Sequence, residues 1–371
     1  MPASSRAIID LNAYGHNLDV VRNHIPRECG IMAVVKTNAY GLGGIPLARH
    51  AVDCGVDMLA VATVSEGIAL REAGIHIPVL VLVQPSESHL ADAVEHDLRV
   101  TVSEPAFAER LSEIGRRMSR LVPIHFKVDT GMGRQGVDVE RALDTMEYLV
   151  RLPQIDIEGI ATHFAQAEIR DDPFTLEQIR AFKKLLRDAD KAGLPYDFAH
   201  AANSAGIVNY PHAAFDMVRP GLMTYGVWPY DIPAEQSPLR PVLRWISQTV
   251  VLKDIEAGQS VGYGRTYRAE ARMRVAVVPV GYADGYRYHL ANRAEVLVRG
   301  VRCPVRGSVC MDQIVVDVTG LEHVRLGDTV TLIGTDGSET ITPWELAKIA
   351  GTVPNDILTG LGWRVAREYV D

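Results

Sequence analysis

The sequence predicts an α/β protein made of a (β/α)8 TIM barrel followed by a small, mostly antiparallel β-domain. Three observations support this prediction. Short apolar runs alternate with amphipathic segments eight times in the first part of the chain, as in parallel βα units. Polar residues cluster where these runs end. After residue 240 the pattern changes to short strands separated by Gly/Asp turns, which is typical of an antiparallel β-domain.

Size and composition predict a two-domain enzyme. The chain has 371 residues, more than single hydrophobic cores usually reach, so we expect domains at 1–240 and 241–371. A net charge of -8 gives no support for a nucleic-acid surface, and no apolar run is long enough for a membrane span. The N-terminus lacks the apolar core of a secretion signal. Four scattered cysteines form no CxxC pair, so we expect no disulfide framework, no metal site and a cytoplasmic location.

The predicted elements follow one another regularly. Residues 7–13 predict a strand, and residues 14–25 predict a helix. Eight apolar runs come next, at 31–36, 57–63, 77–83, 98–102, 122–128, 155–162, 197–201 and 215–219. Eight such units within about 250 residues predict a closed barrel, with an open doubly wound sheet as the alternative.

The polar residues at the ends of these runs favour the barrel. In a barrel the strand ends share one rim, so residues distant in sequence converge, whereas an open sheet spreads them along an edge. The residues in question are Lys36, Lys127, Asp129, Arg134, His163, His200, Asn203, Ser204, Arg219 and Gly221.

The second domain is predicted to begin after a proline-rich linker at 229–241. Strands are expected at 246–252, 274–280, 294–299, 313–318 and 329–333, with a helix at 343–350. Three polar stretches interrupt this pattern: VGYGRTYR at 261–268, GYADGYR at 281–287 and GSVCMDQ at 307–313.

A lysine at the end of the first run suggests nucleophilic chemistry. Partial burial of Lys36 would lower the pKa of its amine and make it reactive. Loops after strands seven and eight of such barrels commonly hold a phosphate, and Ser204 and Gly221 suit one. Together these features suggest pyridoxal phosphate bound as a Schiff base. Taken singly, Ser204 could cap a helix, His163 could be a hydrogen-bonded strand-end residue and Arg219 could be an ion-pair partner.

Eight sequence blocks resemble those of the alanine racemase family, in the same order: AVVKTNAYGLG, FKVDTGMGRQG, ATHF, HAANSAG, VRPGLMTYG, VGYGRT, GYADGY and GSVCMDQ. The blocks extend over nearly the whole chain and both predicted domains. The resemblance implies pyridoxal phosphate-dependent racemisation of a small L-amino acid, with alanine as the expected substrate. It also implies that the D-product serves cell-wall synthesis.

The resemblance implies two acid/base groups on opposite faces of the substrate. Lys36 would bind the cofactor covalently and act as one of them, and Tyr263 would be the other. In the family this tyrosine comes from the second subunit. The resemblance therefore implies a head-to-tail homodimer whose subunits share their active sites.

The remaining roles are carried over from the family residue by residue. The implied cofactor-binding residues are Tyr40, Asn203, Ser204, Gly221 and Leu222 around the phosphate, His163 against the ring and Arg219 at the pyridine nitrogen. The implied substrate-binding residues are Arg134 and the Met311 backbone at the carboxylate, with Asp312 and Tyr282 at the entrance. Lys127 matches a lysine that is carbamylated in some family members, where it steadies the arginine at position 134.

Asn355 departs from the family pattern, which has a tyrosine at this position and uses it near the substrate methyl group. Relatives that racemise serine carry asparagine there. A serine or broader-specificity racemase is therefore the alternative to an alanine racemase. A barrel-type pyridoxal phosphate decarboxylase would need another acid/base arrangement than the Tyr263 block implies. A cofactor carrier protein would resemble the barrel alone.

Overall fold

The fold begins with a strand and a helix. The computed structural model describes residues 5–371. Strand β1 (Arg6–Asp10) leads directly into helix α1 (Leu11–Asn23). The Asp10 carboxylate caps this helix, since it accepts the Ala13 N–H at 2.7 Å. Both elements overlap the strand and helix predicted for this stretch.

Eight parallel strands then close into a barrel. Their order is β2–β3–β4–β5–β6–β8–β9–β10, and β10 pairs with β2 to complete the ring. They are β2 (Gly30–Val34), β3 (Met58–Val61), β4 (Val79–Val81), β5 (Arg99–Val102), β6 (Val122–Asp129), β8 (Ile155–Ala161), β9 (Phe198–His200) and β10 (Met217–Val218), with the short β7 (Val137–Asp138) paired to β6. The predicted barrel is confirmed, and each strand overlaps one predicted apolar run.

Helices connect the barrel strands and cover the outside of the ring. They are α2 (Lys36–Tyr40), α3 (Gly44–Asp53), α4 (Val64–Glu72), α5 (Leu90–Glu95), α6 (Pro105–Met118), α7 (Val139–Leu149), α8 (Pro173–Lys191) and α9 (Ser204–Asn209). Segment α2 is a left-handed turn and not an ordinary helix. Among residues 5–371, no helix is long and apolar enough to cross a membrane.

The remainder of the chain forms a mostly antiparallel β-domain, as predicted. Its strands are β11 (Leu243–Gln248), β12 (Val251–Ile255), β13 (Ser260–Val261), β14 (Tyr267–Arg268), β15 (Met273–Val278), β16 (Glu295–Val298), β17 (Val301–Pro304), β18 (Ile314–Asp317), β19 (Thr329–Asp336), β20 (Glu339–Ile341) and β21 (Ala366–Val370). Two helices, α10 (Pro343–Ala350) and α11 (Pro354–Thr359), precede the last strand.

The first strand of the chain belongs to this second sheet. The sheet order is β17–β16–β19–β11–β1–β21, and only the β1–β21 pair in this series is parallel. The two ends of the described chain therefore lie side by side and link the β-domain to the start of the barrel. The boundary at residue 240 stays a prediction.

One predicted strand is divided in two. The stretch 246–252 was expected to form one strand, but β11 ends at Gln248 and β12 begins at Val251 in a different sheet. The backbone changes sheets between them, because the Thr249 N–H bonds to Asp328 O and the Val250 N–H bonds to Val277 O. An apolar pattern alone does not reveal such a change of partner.

Candidate active site

A cavity of about 450 Å³ opens at the carboxyl end of the barrel strands. Eleven of the fifteen predicted site residues line it: Lys36, Tyr40, Lys127, Arg134, His163, Asn203, Ser204, Arg219, Gly221, Leu222 and Asn355. Nine of these follow barrel strands, Lys127 lies near the end of β6, and Asn355 is contributed by α11 of the β-domain. Eight of the ten strand-end residues predicted to share one rim therefore line one cavity, whereas Asp129 and His200 do not.

Lys36 stands immediately after β2, whose residues are almost all buried. Burial lowers the pKa of the Lys36 amine, and the guanidinium of Arg134 lowers it further. The Glu66 carboxylate opposes this shift, and Arg219 adds to it. A larger fraction of the amine is consequently neutral, and so nucleophilic, than in a lysine exposed to water.

The turn after Lys36 has a strained backbone. Thr37, Asn38, Ala39 and Tyr40 have φ values of 54°, 53°, 51° and 54°, so four consecutive non-glycine residues are left-handed. Each such residue costs roughly 1–2 kcal/mol relative to the right-handed conformation. A strained segment of this kind persists only when its surroundings hold it in place.

Glu66 provides part of that support. Its Oε1 accepts the N–H groups of Thr37 at 2.5 Å and Asn38 at 3.3 Å. Its Oε2 accepts the N–H groups of Ala62 at 2.8 Å and Thr63 at 3.3 Å. One carboxylate thus joins the start of α4 to the turn that presents Lys36.

The β-domain supports the same turn from the other side. Arg367 of β21 donates from Nε and Nη2 to Gly41 O, at 3.1 and 2.9 Å. The Tyr369 hydroxyl donates to Leu42 O at 3.1 Å. Gly41 has a φ of 85°, and a Cβ there would lie 2.7 Å from Leu358 O, so the close approach requires glycine.

Arg219 is buried and donates hydrogen bonds to four acceptors. Its Nη2 donates to Thr162 O at 2.8 Å, to Ala201 O at 2.9 Å and to His163 Nδ1 at 2.9 Å, and its Nη1 donates to His200 Nδ1 at 2.6 Å. Burial lowers the pKa of Arg219 to about 10, which leaves the guanidinium protonated at neutral pH. It is therefore a fixed cation in the wall of the cavity.

His163 beside it is neutral. Burial lowers the pKa of His163 well below its usual value, and the neighbouring Arg219 guanidinium lowers it further. Since its Nδ1 accepts from Arg219, its proton resides on Nε2.

Small groups surround the loop after β10. The Ser204 hydroxyl oxygen accepts the N–H groups of Gly221 at 3.0 Å and Met223 at 3.2 Å. Any side chain at Gly221 would collide with Tyr40, because a Cβ there would lie 2.5 Å from the Tyr40 hydroxyl. Asn203, and not Ser204, caps helix α9 through Gly206 N at 2.9 Å. The Ser204 side chain thus has no capping role and faces the cavity.

Lys127 and Arg134 bring an amine and a further guanidinium to the cavity. Burial lowers the pKa of Lys127 well below its usual value, and the guanidiniums of Arg219 and Arg134 act in the same direction. Arg134 itself is exposed at the rim. A neutral amine can react as a nucleophile. A negatively charged product of such a reaction would be stabilised by the two neighbouring guanidiniums.

The other four predicted residues lie on the β-domain and do not line this cavity. Tyr263 is 78% exposed, and Tyr282 and Met311 are also exposed. Hydrogen bonds join their segments, since Tyr282 N donates to Cys310 O and Ala283 N donates to Met311 O, both at 3.0 Å, and the Ser308 hydroxyl donates to Tyr263 O at 2.9 Å. Asp312 forms an ion pair with Arg364 at 2.8 Å. We call this group, Tyr263, Tyr282, Met311 and Asp312, the β-domain cluster.

Family profiles match both parts of the chain. The profile described as alanine racemase, N-terminal domain, matches residues 9–229, and the profile for the C-terminal domain matches residues 242–369. The chain belongs to the alanine racemase family.

Individual relatives of this family match over nearly the full length. Alanine racemases of Halothermothrix orenii and Symbiobacterium thermophilum are 41% and 42% identical to it, each over 98% of this chain and 96% of the relative. The crystal structure of the Bartonella henselae alanine racemase with covalently bound pyridoxal phosphate superposes with a TM-score of 0.90 at 29% identity, covering 100% of both chains. These matches confirm the predicted family membership. They do not favour the serine, decarboxylase or carrier alternatives.

Some supporting residues were missed by the sequence analysis. Glu66 lies three residues after Thr63, which is the spacing of a helix capping box, and the structure shows that box. This spacing is typical of a helix start, but it does not indicate the contact with the Lys36 turn. Similarly, His125 and Glu158 lie inside apolar barrel strands, where a buried titratable group signals a polar network.

Proposed function

We propose that the protein is a pyridoxal phosphate-dependent racemase that interconverts L- and D-alanine at this cavity. The main support is one observation: a buried lysine amine, a fixed guanidinium and the small-residue loop around Ser204 and Gly221 line the same cavity. The family relatives named alanine racemase give the proposal its substrate.

The residues present fit the cofactor. The lack of a side chain at Gly221 leaves room for the Tyr40 hydroxyl at the cavity wall, where it and the Ser204 hydroxyl can donate hydrogen bonds to a small anionic group. Tyr40, Ser204 and the backbone at Gly221 and Leu222 would hold the phosphate, with Asn203 beside them. Lys36 would bind the cofactor aldehyde, and His163 would lie against the ring. Arg219, which can only donate hydrogen bonds, would face the pyridine nitrogen and keep it unprotonated.

Racemisation requires a proton to leave one face of the α-carbon and another to arrive on the opposite face. When bound, pyridoxal phosphate withdraws electrons from the α-carbon and makes its proton acidic. Lys36 would hold or release the proton on one face. The Tyr263 hydroxyl would do so on the other face.

Tyr263 would come from a second copy of the chain. Within one chain Tyr263 is exposed, together with Tyr282 and Met311, and it does not line the cavity that contains Lys36. A head-to-tail homodimer would place the β-domain cluster of one subunit over the cavity of the other. Met311 and Arg134 would then bind the substrate carboxylate, and Tyr282 and Asp312 would border the entrance.

Lys127 is the candidate for carbamylation. Its lowered pKa supplies the neutral amine that reacts with carbon dioxide, and the resulting anion would neutralise part of the charge of Arg134 and Arg219. Incubation with ¹³C-bicarbonate should produce a carbamate NMR signal that is absent from Lys127→Ala. A signal that persists in this variant would assign the carbamate to another residue.

We also propose a cytoplasmic location. All four cysteines are free thiols, as expected in a reducing compartment.

The decisive experiment is incubation of the purified protein with L-alanine and pyridoxal phosphate in deuterated water. We expect D-alanine to form with deuterium at the α-carbon, and a visible cofactor absorbance that Lys36→Ala lacks. Release of carbon dioxide without D-alanine would indicate a decarboxylase. Bound cofactor without α-deuterium exchange would indicate a carrier protein.

A further inference from the structure

A chain of direct hydrogen bonds crosses the interior of the barrel behind Arg219. Arg219 Nη1 lies 2.6 Å from His200 Nδ1, and His200 Nε2 lies 2.8 Å from His125 Nδ1. His125 Nε2 lies 3.0 Å from Glu158 Oε2. The two histidines are buried in strands β9 and β6, and Glu158 belongs to β8 between them. These groups connect the cavity wall to the outer part of the barrel.

The direction of this chain follows from arginine chemistry. A guanidinium only donates, so His200 Nδ1 accepts and its proton resides on Nε2. That proton is donated to His125 Nδ1, which places the His125 proton on Nε2, facing Glu158. Burial lowers the pKa of His200 well below its usual value and lowers that of His125, in agreement with two neutral rings.

The far end is held by a second arginine. Arg99 Nε lies 3.2 Å from Glu158 Oε1 and 3.3 Å from Oε2, and Arg99 Nη1 pairs with Asp97 at 3.1 Å. Glu158 therefore faces two donors, Arg99 and His125. This position requires a group that accepts hydrogen bonds from both sides. A carboxylate is such a group.

Packing fixes the orientation of His125. A Cβ on Gly159 would lie 2.9 Å from His125 Nδ1, so glycine gives the ring its space. The Phe198 ring contacts His125 edge-on at 5.4 Å between centroids. The direct nitrogen–nitrogen contact between the two histidines leaves no room for a metal ion, and the described residues contain no cluster suited to one.

We propose that Glu158 is a positioning residue that fixes both histidines in their Nε2–H form and so holds Arg219 as a donor toward the cavity. Its carboxylate does this across two imidazole rings. Its importance for catalysis rests on the proposed function, because Arg219 matters there through the pyridine nitrogen. The tautomers themselves do not depend on that function.

The variant Glu158→Gln keeps the shape of the side chain but removes one of its two hydrogen-bond acceptors. Its amide has one acceptor and one donor side, and the charged Arg99 competes more strongly for the acceptor than a neutral imidazole does. The amide NH₂ then faces His125 and reverses both rings, so His200 Nδ1–H points at Arg219, which also donates. We expect the Arg219–His200 bond to be lost and kcat for racemisation to fall roughly tenfold or more.

A second substitution should undo the first. In Glu158→Gln/Arg99→Leu, the amide oxygen is free to accept from His125, so the original tautomers and most of kcat should return. Arg99→Leu alone keeps the carboxylate and should leave both tautomers unchanged. Glu295→Gln, the same change in a partly buried ion pair with Arg302 in the β-domain, controls for general effects of the substitution.

The measurement is ¹H–¹⁵N correlation NMR of the histidine side chains in the full-length protein, with and without pyridoxal phosphate. His125 and His200 should carry the proton on Nε2 in the wild type, and His125 should carry it on Nδ1 in Glu158→Gln. An Nδ1–H or doubly protonated ring in the wild type would overturn the proposal, as would unchanged tautomers in Glu158→Gln. A protein with these tautomers but no racemase activity would contradict the proposed function alone.

Discussion

The cavity at the barrel rim and the β-domain cluster differ in how complete they are within one chain. In the cavity, Arg219 is 5% exposed and donates four hydrogen bonds, and the Lys36 turn is held from two sides. In the β-domain cluster, Tyr263 is 78% exposed, and its hydroxyl has no hydrogen bond to the described part of the chain. One region is preorganised by its own chain, whereas the other presents side chains outward.

This difference indicates a division of labour. The cavity holds groups whose pKa and orientation depend on burial, and these require a rigid surrounding. In the β-domain cluster the side chains of Tyr263, Tyr282 and Met311 are exposed, as expected of a surface that the proposed second subunit would cover. We therefore expect substitutions in the two regions to affect different measurable steps.

The largest expected effects come from the two proposed acid/base groups. Lys36→Ala should abolish the visible absorbance of the bound cofactor and lower racemisation by at least roughly 10²–10⁴-fold. Tyr263→Phe should cause a comparable loss of racemisation but retain the cofactor absorbance, since Tyr263 does not line the cavity of its own chain. Absorbance spectra and chiral analysis of both variants check this contrast. Loss of cofactor binding in Tyr263→Phe would contradict the expectation that only the cavity residues bind the cofactor.

The support of the strained turn should give the next largest effect. Glu66→Gln replaces one of the two carboxylate oxygens that join α4 to the Lys36 turn with an NH₂ group, which cannot accept a hydrogen bond. The free energy of unfolding should fall by about 1–3 kcal/mol. The substitution should also weaken cofactor binding. The matched control is Thr63→Ala, which removes only the helix cap and costs about 1 kcal/mol. Urea unfolding and cofactor titration measure both quantities. Equal cofactor affinity in the two variants would show that Glu66 acts only as a capping residue.

A smaller, pH-dependent effect is expected at Lys127. Its folded-state pKa lies below that of the unfolded chain, so the unfolded chain binds more protons between the two values and wild-type stability rises with pH there. Lys127→Met should therefore stabilise the protein most at and below the lowered pKa, and the gain should shrink as the pH approaches about 10.4. Denaturant unfolding at several pH values in carbonate-free buffer tests this. Lys184, which is exposed on α8, is the control: Lys184→Met should show no such gain.

The smallest effect concerns substrate choice. Asn355 lines the cavity but belongs to the β-domain, so it is a point where the second domain reaches the cavity of its own chain. Asn355→Tyr should lower the serine-to-alanine ratio of kcat/KM, because it fills space and removes an amide that can bond to a hydroxyl. Val353→Tyr, an exposed neighbour, is the control. An unchanged ratio would exclude Asn355 from specificity.

Much of the architecture was predictable from the sequence. The eight apolar runs match the eight barrel strands because buried parallel strands leave a strong local pattern. Most of the polar residues at the ends of these runs line one cavity because the barrel topology brings all strand ends to one rim.

The missed features depend on long-range contacts. Nothing local predicts that Thr37 to Tyr40 are all left-handed, since the strain is compensated by Glu66 and Arg367, which lie elsewhere in the chain. The chain from Arg219 to Glu158 depends on strand register, including the irregularity between Ile124 and His125. The place of β1 in the second sheet likewise depends on strands more than 200 residues away.

The central claim, that each active site combines Lys36 of one chain with Tyr263 of another, is tested most directly by mixing two inactive variants. Lys36→Ala and Tyr263→Phe are purified separately, unfolded together in equal amounts and refolded. Random pairing makes half of the dimers mixed, each with one intact site of two, so roughly a quarter of wild-type activity should return. If both residues served the same chain, every site would lack one of them, and the mixture would remain as inactive as its components.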